Sequence, residues 1–212
     1  MEPFNASTYK DQKGDFNSKD EDRLLSLLTT QHPRRVLDVG CGDGTLTHRV
    51  KNALPQSEIV AIDNSESQIG LAVRTASDGI TFMCTDVIDY SVPEPFDAIY
   101  SFYAFPHIPK SDVPSALRSV ARLLKPEGEL YLFTNIALFD TSKVPHEDQE
   151  ACDIVFLNDW PSQINLISLP EMQKMIADEG LDEVENRPLE TGAKVKEYGD
   201  MISYLFVLRR KK

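Results

Sequence analysis

Short apolar segments alternate with longer mixed segments from residue 35 to residue 134 of this chain of 212 residues. The apolar segments are Arg35–Val39, Ile59–Ile62, Ile80–Cys84, Phe96–Phe102 and Glu129–Thr134. Their centres lack polar alternation, which is typical of strands that are buried on both faces of a parallel sheet. Strands that alternate with helical segments predict an α/β fold with helices on both faces of the sheet.

The segments around these strands complete the predicted element order. Helices are predicted over Lys19–Thr30, Thr45–Ala53, Ser65–Ala76 with Ser65 as its cap, Ser111–Leu124 and Leu169–Gly180. The turn Lys125–Gly128 is predicted to close the fourth helix, and Asn135–Asn165 to form a long acidic loop. The last two strands, Leu181–Leu189 and Met201–Leu208, are predicted to form an antiparallel hairpin, because the segment between them is too short for a helical crossover.

Composition limits the classes of partner. The chain carries 34 acidic and 22 basic side chains, for a net charge of −12, and such a surface repels the phosphates of nucleic acids. No apolar run approaches the roughly 20 residues that span a bilayer. Three cysteines without a CxxC pair are typical of a reducing compartment, and the four histidines lack the spacing of metal ligands. We therefore expect a cytoplasmic protein that acts on a small molecule, without a membrane, nucleic acid or metal.

A glycine-rich turn follows the first strand. Its glycines Gly40, Gly42 and Gly44 have the spacing GxGxG, whereas a dinucleotide-binding turn reads GxGxxG. Asp38 and Asp43 flank the turn, and carboxylates beside a pyrophosphate would cost Coulomb energy. Beside an ammonium or a sulfonium the same carboxylates would be favourable. The turn therefore predicts a cationic nucleoside without phosphate.

The segment Val36–Gly44 resembles the first motif of the class I S-adenosylmethionine-dependent methyltransferases, and later segments match that family in order up to Phe133. The resemblance implies a Rossmann-like sheet of seven mostly parallel strands with an antiparallel last strand. It implies that Asp63 accepts hydrogen bonds from both ribose hydroxyls and that Asp86 receives the adenine amine. The implied cofactor-binding residues are Asp38, Gly40, Cys41, Gly42, Asp43, Gly44, Asp63, Asn64, Thr85, Asp86, Val87 and Ser101, of which Cys41 is predicted to be a small filler and not a nucleophile.

The segment after the fourth strand, Ser101–Ile108, bears on the acceptor. It lacks the Asn/Asp-Pro-Pro-aromatic motif of amino- and adenine-methylating enzymes. It resembles the small-molecule branch that includes the trans-aconitate and juvenile hormone acid methyltransferases, which esterify carboxylates. The resemblance implies O-methylation of a carboxylate or hydroxyl by direct in-line transfer from S-adenosylmethionine. The alternatives are a small-molecule N-methyltransferase and a cofactor-binding regulatory or non-methylating protein on the same fold.

Two residues of this segment are candidate catalytic residues. His107 has a side-chain pKa range that suits a general base for a hydroxyl or amine acceptor, whereas a carboxylate acceptor needs no base. Tyr103 is predicted to orient the acceptor. Asp97, at the opposite end of the fourth strand, is predicted to make a structural turn hydrogen bond.

The whole chain, residues 1–212, is predicted to be a single methyltransferase domain. It divides into an N-terminal helical cap (1–32), a cofactor-binding core (33–135), a lid that excludes water (136–168), and a C-terminal helix and hairpin (169–212). The oligomeric state is left open.

Overall fold

The computed structural model describes residues 18–75, 77–150, 152–156, 161–195 and 198–211. The strands are β1 Arg35–Val39, β2 Glu58–Asp63, β3 Ile80–Cys84, β4 Phe96–Phe102, β5 Leu124–Ala137, β6 Cys152–Phe156, β7 Pro161–Ile164, β8 Leu181–Val195 and β9 Gly199–Arg210. The α-helices are α1 Ser18–Gln31, α2 Thr45–Ala53, α3 Glu66–Ala72, α4 Val113–Leu123, α5 His146–Glu150 and α6 Leu169–Asp178. Short 3-10 turns cover Val73–Thr75, Phe105–His107 and Thr141–Lys143.

All the described strands belong to one sheet, in the order β3-β2-β1-β4-β5-β9-β8-β6-β7. The strands from β3 to β5 in this order pair in parallel, and β9 lies antiparallel between β5 and β8. The first seven strands of this order match the predicted Rossmann-like fold, with the hairpin at its antiparallel end. The chain passes to opposite sides of β1 to reach β2 and β4, and ligands of open α/β sheets bind at such a switch point.

The core has one layer on each face of the sheet. One layer packs the buried side of α4 and α6 against the strands, with Val113, Leu117 and Ile176 among its buried side chains. The other packs α1 and α2 against the opposite face. Leu24 and Leu28 are fully buried there because they lie four residues apart on one side of α1. Both layers pack against the central strands, which explains why most side chains of these strands are apolar on both faces.

Several boundaries differ from prediction, and β8 runs to Val195, beyond its predicted end at Leu189. The segment expected to be a long loop contains α5, β6 and β7, and these two strands extend the sheet beyond β8. The turn Lys125–Gly128 lies within β5, where a register shift opposite Phe96 absorbs it. The helix predicted over Ser65–Ala76 ends early as α3 and continues in a 3-10 turn, while its cap is confirmed because the Ser65 side chain accepts from the Gln68 amide. Within the described ranges, no helix is long and apolar enough to cross a membrane.

Candidate functional site

The glycine turn is tied to the end of the neighbouring strand. The amides of Gly40 and Cys41 both donate to the Ile62 carbonyl on β2, at 2.8 and 3.0 Å. Gly40 adopts a φ of 77°, and a Cβ built on it would overlap the Cβ of Ala104 in the loop after β4. The turn therefore contacts β2 on one side and the loop after β4 on the other, and only glycine permits the second contact.

Asp63 ends β2 directly beside this turn. One carboxylate oxygen accepts from the Gly42 amide and the other from the Ser65 amide, each at 2.9 Å. A carboxylate oxygen can accept more than one hydrogen bond, so both oxygens keep capacity for ligand hydroxyls. The two backbone bonds fix the orientation in which the carboxylate would meet a ribose.

The turn after β3 brings a second acidic residue to the same edge of the sheet. Thr85 donates its amide to the Asp63 carbonyl at 3.0 Å, and the Asp86 carboxylate accepts from the Ile88 amide at 2.8 Å. The Asn64 side chain donates to the other oxygen of Asp86 at 3.5 Å. Val87 buries its side chain in the core, so its backbone is the part that can face a ligand.

Carboxylates converge on the glycine turn. Asp38 is 2% exposed and accepts from the hydroxyls of Thr47 and Tyr100, each at 2.6 Å. Asp43 accepts from the Thr45 amide at the start of α2. The pKa of the Cys41 thiol is raised far above its usual value, first by burial and then by the charges of Asp38, Asp63 and Asp43. Cys41 is thus a protonated, buried side chain, and its surroundings carry the negative potential that favours a cation.

Two buried polar atoms near this edge have no hydrogen-bond partner among the described residues. The Ser101 hydroxyl, at the carboxyl end of β4, is one of them, and the Oε1 of Gln68 is the other. Gln68 is 6% exposed, and its Oε1 lies 3.9 Å from the position that a Cβ on Gly42 would take. An unsatisfied buried acceptor costs roughly 1–3 kcal/mol. These orphaned atoms fit a site that is completed by a polar ligand.

Gln68 was missed by sequence reasoning. Its position could have identified it, because it lies three residues after the cap Ser65, on the side of α3 that faces the core. A buried polar atom requires a partner, and the described residues supply none for the Oε1 of Gln68.

Tyr103 and His107 lie in the loop after β4 but differ in environment. Tyr103 has a positive φ of 58°, and its hydroxyl donates to the buried Asp20 carboxylate of α1 at 2.7 Å. Its ring packs against Phe102 and Phe133. His107 is exposed at the end of the 3-10 turn. The Tyr103 hydroxyl thus connects this loop to α1, whereas the imidazole of His107 is accessible.

Asn165, also missed from the sequence, holds the loop that carries His107. It is buried, its side-chain amide donates to the carbonyls of Phe105 and Ile108 at 2.9 and 2.7 Å, and its backbone amide donates to Pro106 at 2.7 Å. Asp97 has the predicted structural role at the other end of β4. Its carboxylate accepts from the amides of Arg34 and Arg35 and pairs with Lys125.

A cavity of about 520 Å³ opens at the carboxyl end of β5. Residues 136–142, residues 168–171 and Tyr204 line it, and its walls are mainly apolar. An ion pair between Lys110 and Glu171 links its wall to the loop after β4. Its volume lies in the range of small-molecule sites.

Known proteins resemble this chain in sequence and fold. A family model described as a methyltransferase domain matches residues 36–128. A malonyl-(acyl-carrier protein) O-methyltransferase of Bacillus anthracis is 30% identical over 134 residues, which are 61% of this chain and 49% of that protein. A trans-aconitate 2-methyltransferase of Acidovorax sp. strain JS42 is 32% identical over 78 residues, 37% of this chain and 30% of that protein.

The chain spans about half the length of the first of these relatives. The family model covers the segment that carries the glycine turn and the ends of the first four strands. Among solved structures, the N-methyltransferase NodS of Bradyrhizobium japonicum WM9 in complex with S-adenosyl-L-homocysteine has a TM-score of 0.66. It is 19% identical, and the match covers 93% of this chain and 88% of that one. At this identity the likeness shows the fold.

Proposed function

We propose that the chain is a class I S-adenosylmethionine-dependent methyltransferase, with S-adenosylmethionine as its cofactor, and that it methylates a small molecule on oxygen. The observation that carries the proposal is the convergence of the Asp38, Asp43 and Asp63 carboxylates on the glycine turn around Cys41. This arrangement suits a nucleoside with an ammonium and a sulfonium and opposes a pyrophosphate.

We propose the following roles for the residues of the cofactor site. Asp63 accepts from the ribose hydroxyls and Asp86 from the adenine amine, with the Val87 backbone facing the ring. Ser101 lies towards the sulfur, at the end of β4. The remaining proposed members are Gly40, Cys41, Gly42, Gly44, Asn64 and Thr85, which shape the walls. The bound cofactor supplies an electrophilic methyl group, so the chain has chiefly to align the acceptor and exclude water.

We propose a carboxylate or hydroxyl as the acceptor group. The names of the two curated relatives specify O-methylation in one case and methylation of trans-aconitate, a carboxylate compound, in the other. A carboxylate oxygen is a sufficient nucleophile without a base. For a hydroxyl acceptor, the exposed imidazole of His107 takes up the proton. Tyr103 orients the acceptor through its ring, while its hydroxyl holds α1, and residues 136–168 serve as the lid.

The net charge of −12 supports a free small molecule as acceptor in place of a nucleic acid. Methylation of an amine is the main rival, since the structurally similar NodS is named an N-methyltransferase. The chemistry of the product separates the two.

The test uses S-adenosylmethionine labelled in its methyl group and a pool of metabolites that includes carboxylic acids, phenols and amines. A methyl ester releases volatile labelled methanol on mild alkaline treatment, whereas methyl ethers and methylamines keep the label. We expect labelled product from the wild-type protein, in alkali-labile or ether form, and much less from Asp63→Ala at a cofactor concentration near the wild-type Kd. Label only in amines would overturn O-methylation. Tight cofactor binding without any labelled product would favour a regulatory or non-methylating protein.

A further inference from the structure

We propose that Tyr100 and Thr47 are positioning residues that hold the Asp38 carboxylate at the glycine turn, where its charge attracts the ammonium of the cofactor's amino-acid end. The inference rests on the proposed function and deepens it. It assigns a role in ligand recognition to two buried hydroxyls that neither bind the nucleoside nor take part in methyl transfer.

The three side chains form one hydrogen-bonded group. Tyr100 is the direct neighbour of Asp38 across the parallel pair of β4 and β1, and Thr47 lies in the first turn of α2. Tyr100 and Thr47 are both 0% exposed, and both hydroxyls donate to the same oxygen, Oδ2 of Asp38, at 2.6 Å. Short bonds from two elements to one oxygen fix the plane of the carboxylate.

The chemistry of these donors preserves the charge of the carboxylate. A hydroxyl stabilises a buried anion by hydrogen bonding but brings no positive charge of its own, unlike an arginine or a lysine. The pKa of Tyr100 is raised well above its usual value, by burial and then by the Asp38 charge, so the phenol stays protonated and remains a donor. The two hydroxyls therefore stabilise Asp38 as an anion, and its charge acts strongly in a site of low dielectric constant.

The order of the strands indicates which part of the cofactor Asp38 meets. Along the edge of the sheet, the turn after β3 carries Asp86, β2 ends in Asp63, β1 carries Asp38, and β4 ends near Ser101. With adenine at Asp86 and ribose at Asp63, the amino-acid end of the ligand comes next, at β1. The ammonium is the cationic group of that end, and Asp38 is the buried carboxylate beside it.

The experiment compares two ligands by isothermal titration calorimetry. S-adenosylhomocysteine has the amino-acid end, and 5′-methylthioadenosine keeps the nucleoside and the sulfur but lacks that end. Tyr100→Phe removes only the hydroxyl. We expect Tyr100→Phe to lower the affinity for S-adenosylhomocysteine at least tenfold. The affinity for methylthioadenosine should stay within twofold of the wild-type value. Thr47→Val should act in the same direction, and Thr47→Ser, which keeps the hydroxyl, should restore binding.

Tyr131→Phe is the matched control. Tyr131 is the neighbour of Tyr100 on β5, is equally buried, and donates to the Glu129 carboxylate at 2.6 Å, away from the turn. We expect this variant to bind both ligands as the wild type does. Near-UV circular dichroism checks the fold, and Thr47→Val carries the test if Tyr100→Phe does not fold.

Equal weakening of both ligands by Tyr100→Phe and Thr47→Val would assign the hydroxyls a purely structural role and overturn the inference, as would unchanged affinity for both. If the wild type binds neither ligand, the proposed function itself fails. The wild-type titration therefore separates the two failures.

Discussion

At the residue scale, Asp63 has two tasks that one substitution can remove. Its carboxylate orients the Gly42 amide and is proposed to accept from the ribose hydroxyls. We expect Asp63→Ala to lower the affinity for S-adenosylhomocysteine at least tenfold, because the ribose hydroxyls lose a charged acceptor. Calorimetry measures the effect, with Asp89→Ala as control, an exposed carboxylate in the next loop. Unchanged affinity in Asp63→Ala would remove this residue from the cofactor site.

Two glycines give opposite predictions for the same substitution. Gly40→Ala places a methyl group against Ala104 at a φ of 77°, and we expect it to lower the free energy of unfolding by about 2 kcal/mol or more and to weaken cofactor binding. A methyl group added by Gly70→Ala, in α3, meets no described atom within 4 Å. We expect this variant to raise the free energy of unfolding by about 0.5–1 kcal/mol. Urea denaturation measures both, and a harmless Gly40→Ala would contradict the close contact between the turn and the β4 loop.

Substitution of His107 separates an effect on the chemical step from an effect on cofactor binding. Once labelling has identified the acceptor, we expect His107→Ala to lower kcat by about 100-fold for a hydroxyl acceptor, with S-adenosylhomocysteine affinity unchanged. For a carboxylate acceptor, we expect kcat to change less than threefold, since no proton has to be removed. Loss of cofactor affinity in this variant would show that the imidazole serves the cofactor site instead.

At the scale of elements, the loop after β4 and the start of α6 are joined through Lys110 and Glu171. Burial opposes ionisation of Glu171, but hydrogen bonds from Lys110, Ser168 and Thr141 outweigh it and lower its pKa to about 2. A folded-state pKa below the usual 4.5 gives stability that is present above about pH 4.5 and is lost as the pH falls towards 2. Partial exposure of the carboxylate limits this contribution to about 1–2 kcal/mol.

We therefore expect Glu171→Gln to be less stable than wild type by this amount at pH 7, and the difference to shrink as the pH falls from about 4.5 to 2. Urea denaturation at several pH values measures the difference. Asp178→Asn is the control, because its exposed ion pair with Lys174 should contribute less than about 0.5 kcal/mol at any pH. A difference that does not vary with pH would show that the ionised form is not the stabilising one.

The elements also show what local sequence can determine. β1, β3, β4 and α2 have the predicted ends, because apolar runs and glycine punctuation are local signals. β6 and β7 were not predicted, since their pairing depends on a long β8 that presents an edge far away in sequence. In the same way, Asn165 matters through its hydrogen bonds to the β4 loop, which no spacing along the chain reveals. The spacing of Gln68 from the cap Ser65 places it on a buried helix face but does not reveal that it lies near the glycine turn.

At the scale of the whole molecule, the sheet order and the acidic glycine turn act together. The strand order brings the carboxyl ends of β1, β2, β3 and β4 to one edge of the sheet. The acidic side chains at this edge belong to motifs that were recognised in the sequence. Tyr100 was predicted only as part of the strand Phe96–Phe102, because its contact with Asp38 exists only when β1 and β4 are neighbours. The central claim is that this edge holds a cationic nucleoside without phosphate.

Competitive calorimetry with S-adenosylhomocysteine and NADH tests that claim most directly. We predict that the wild-type protein binds S-adenosylhomocysteine, that NADH gives no measurable heat at the same concentration, and that NADH does not displace the bound ligand. Binding of NADH with no response to S-adenosylhomocysteine would contradict the account.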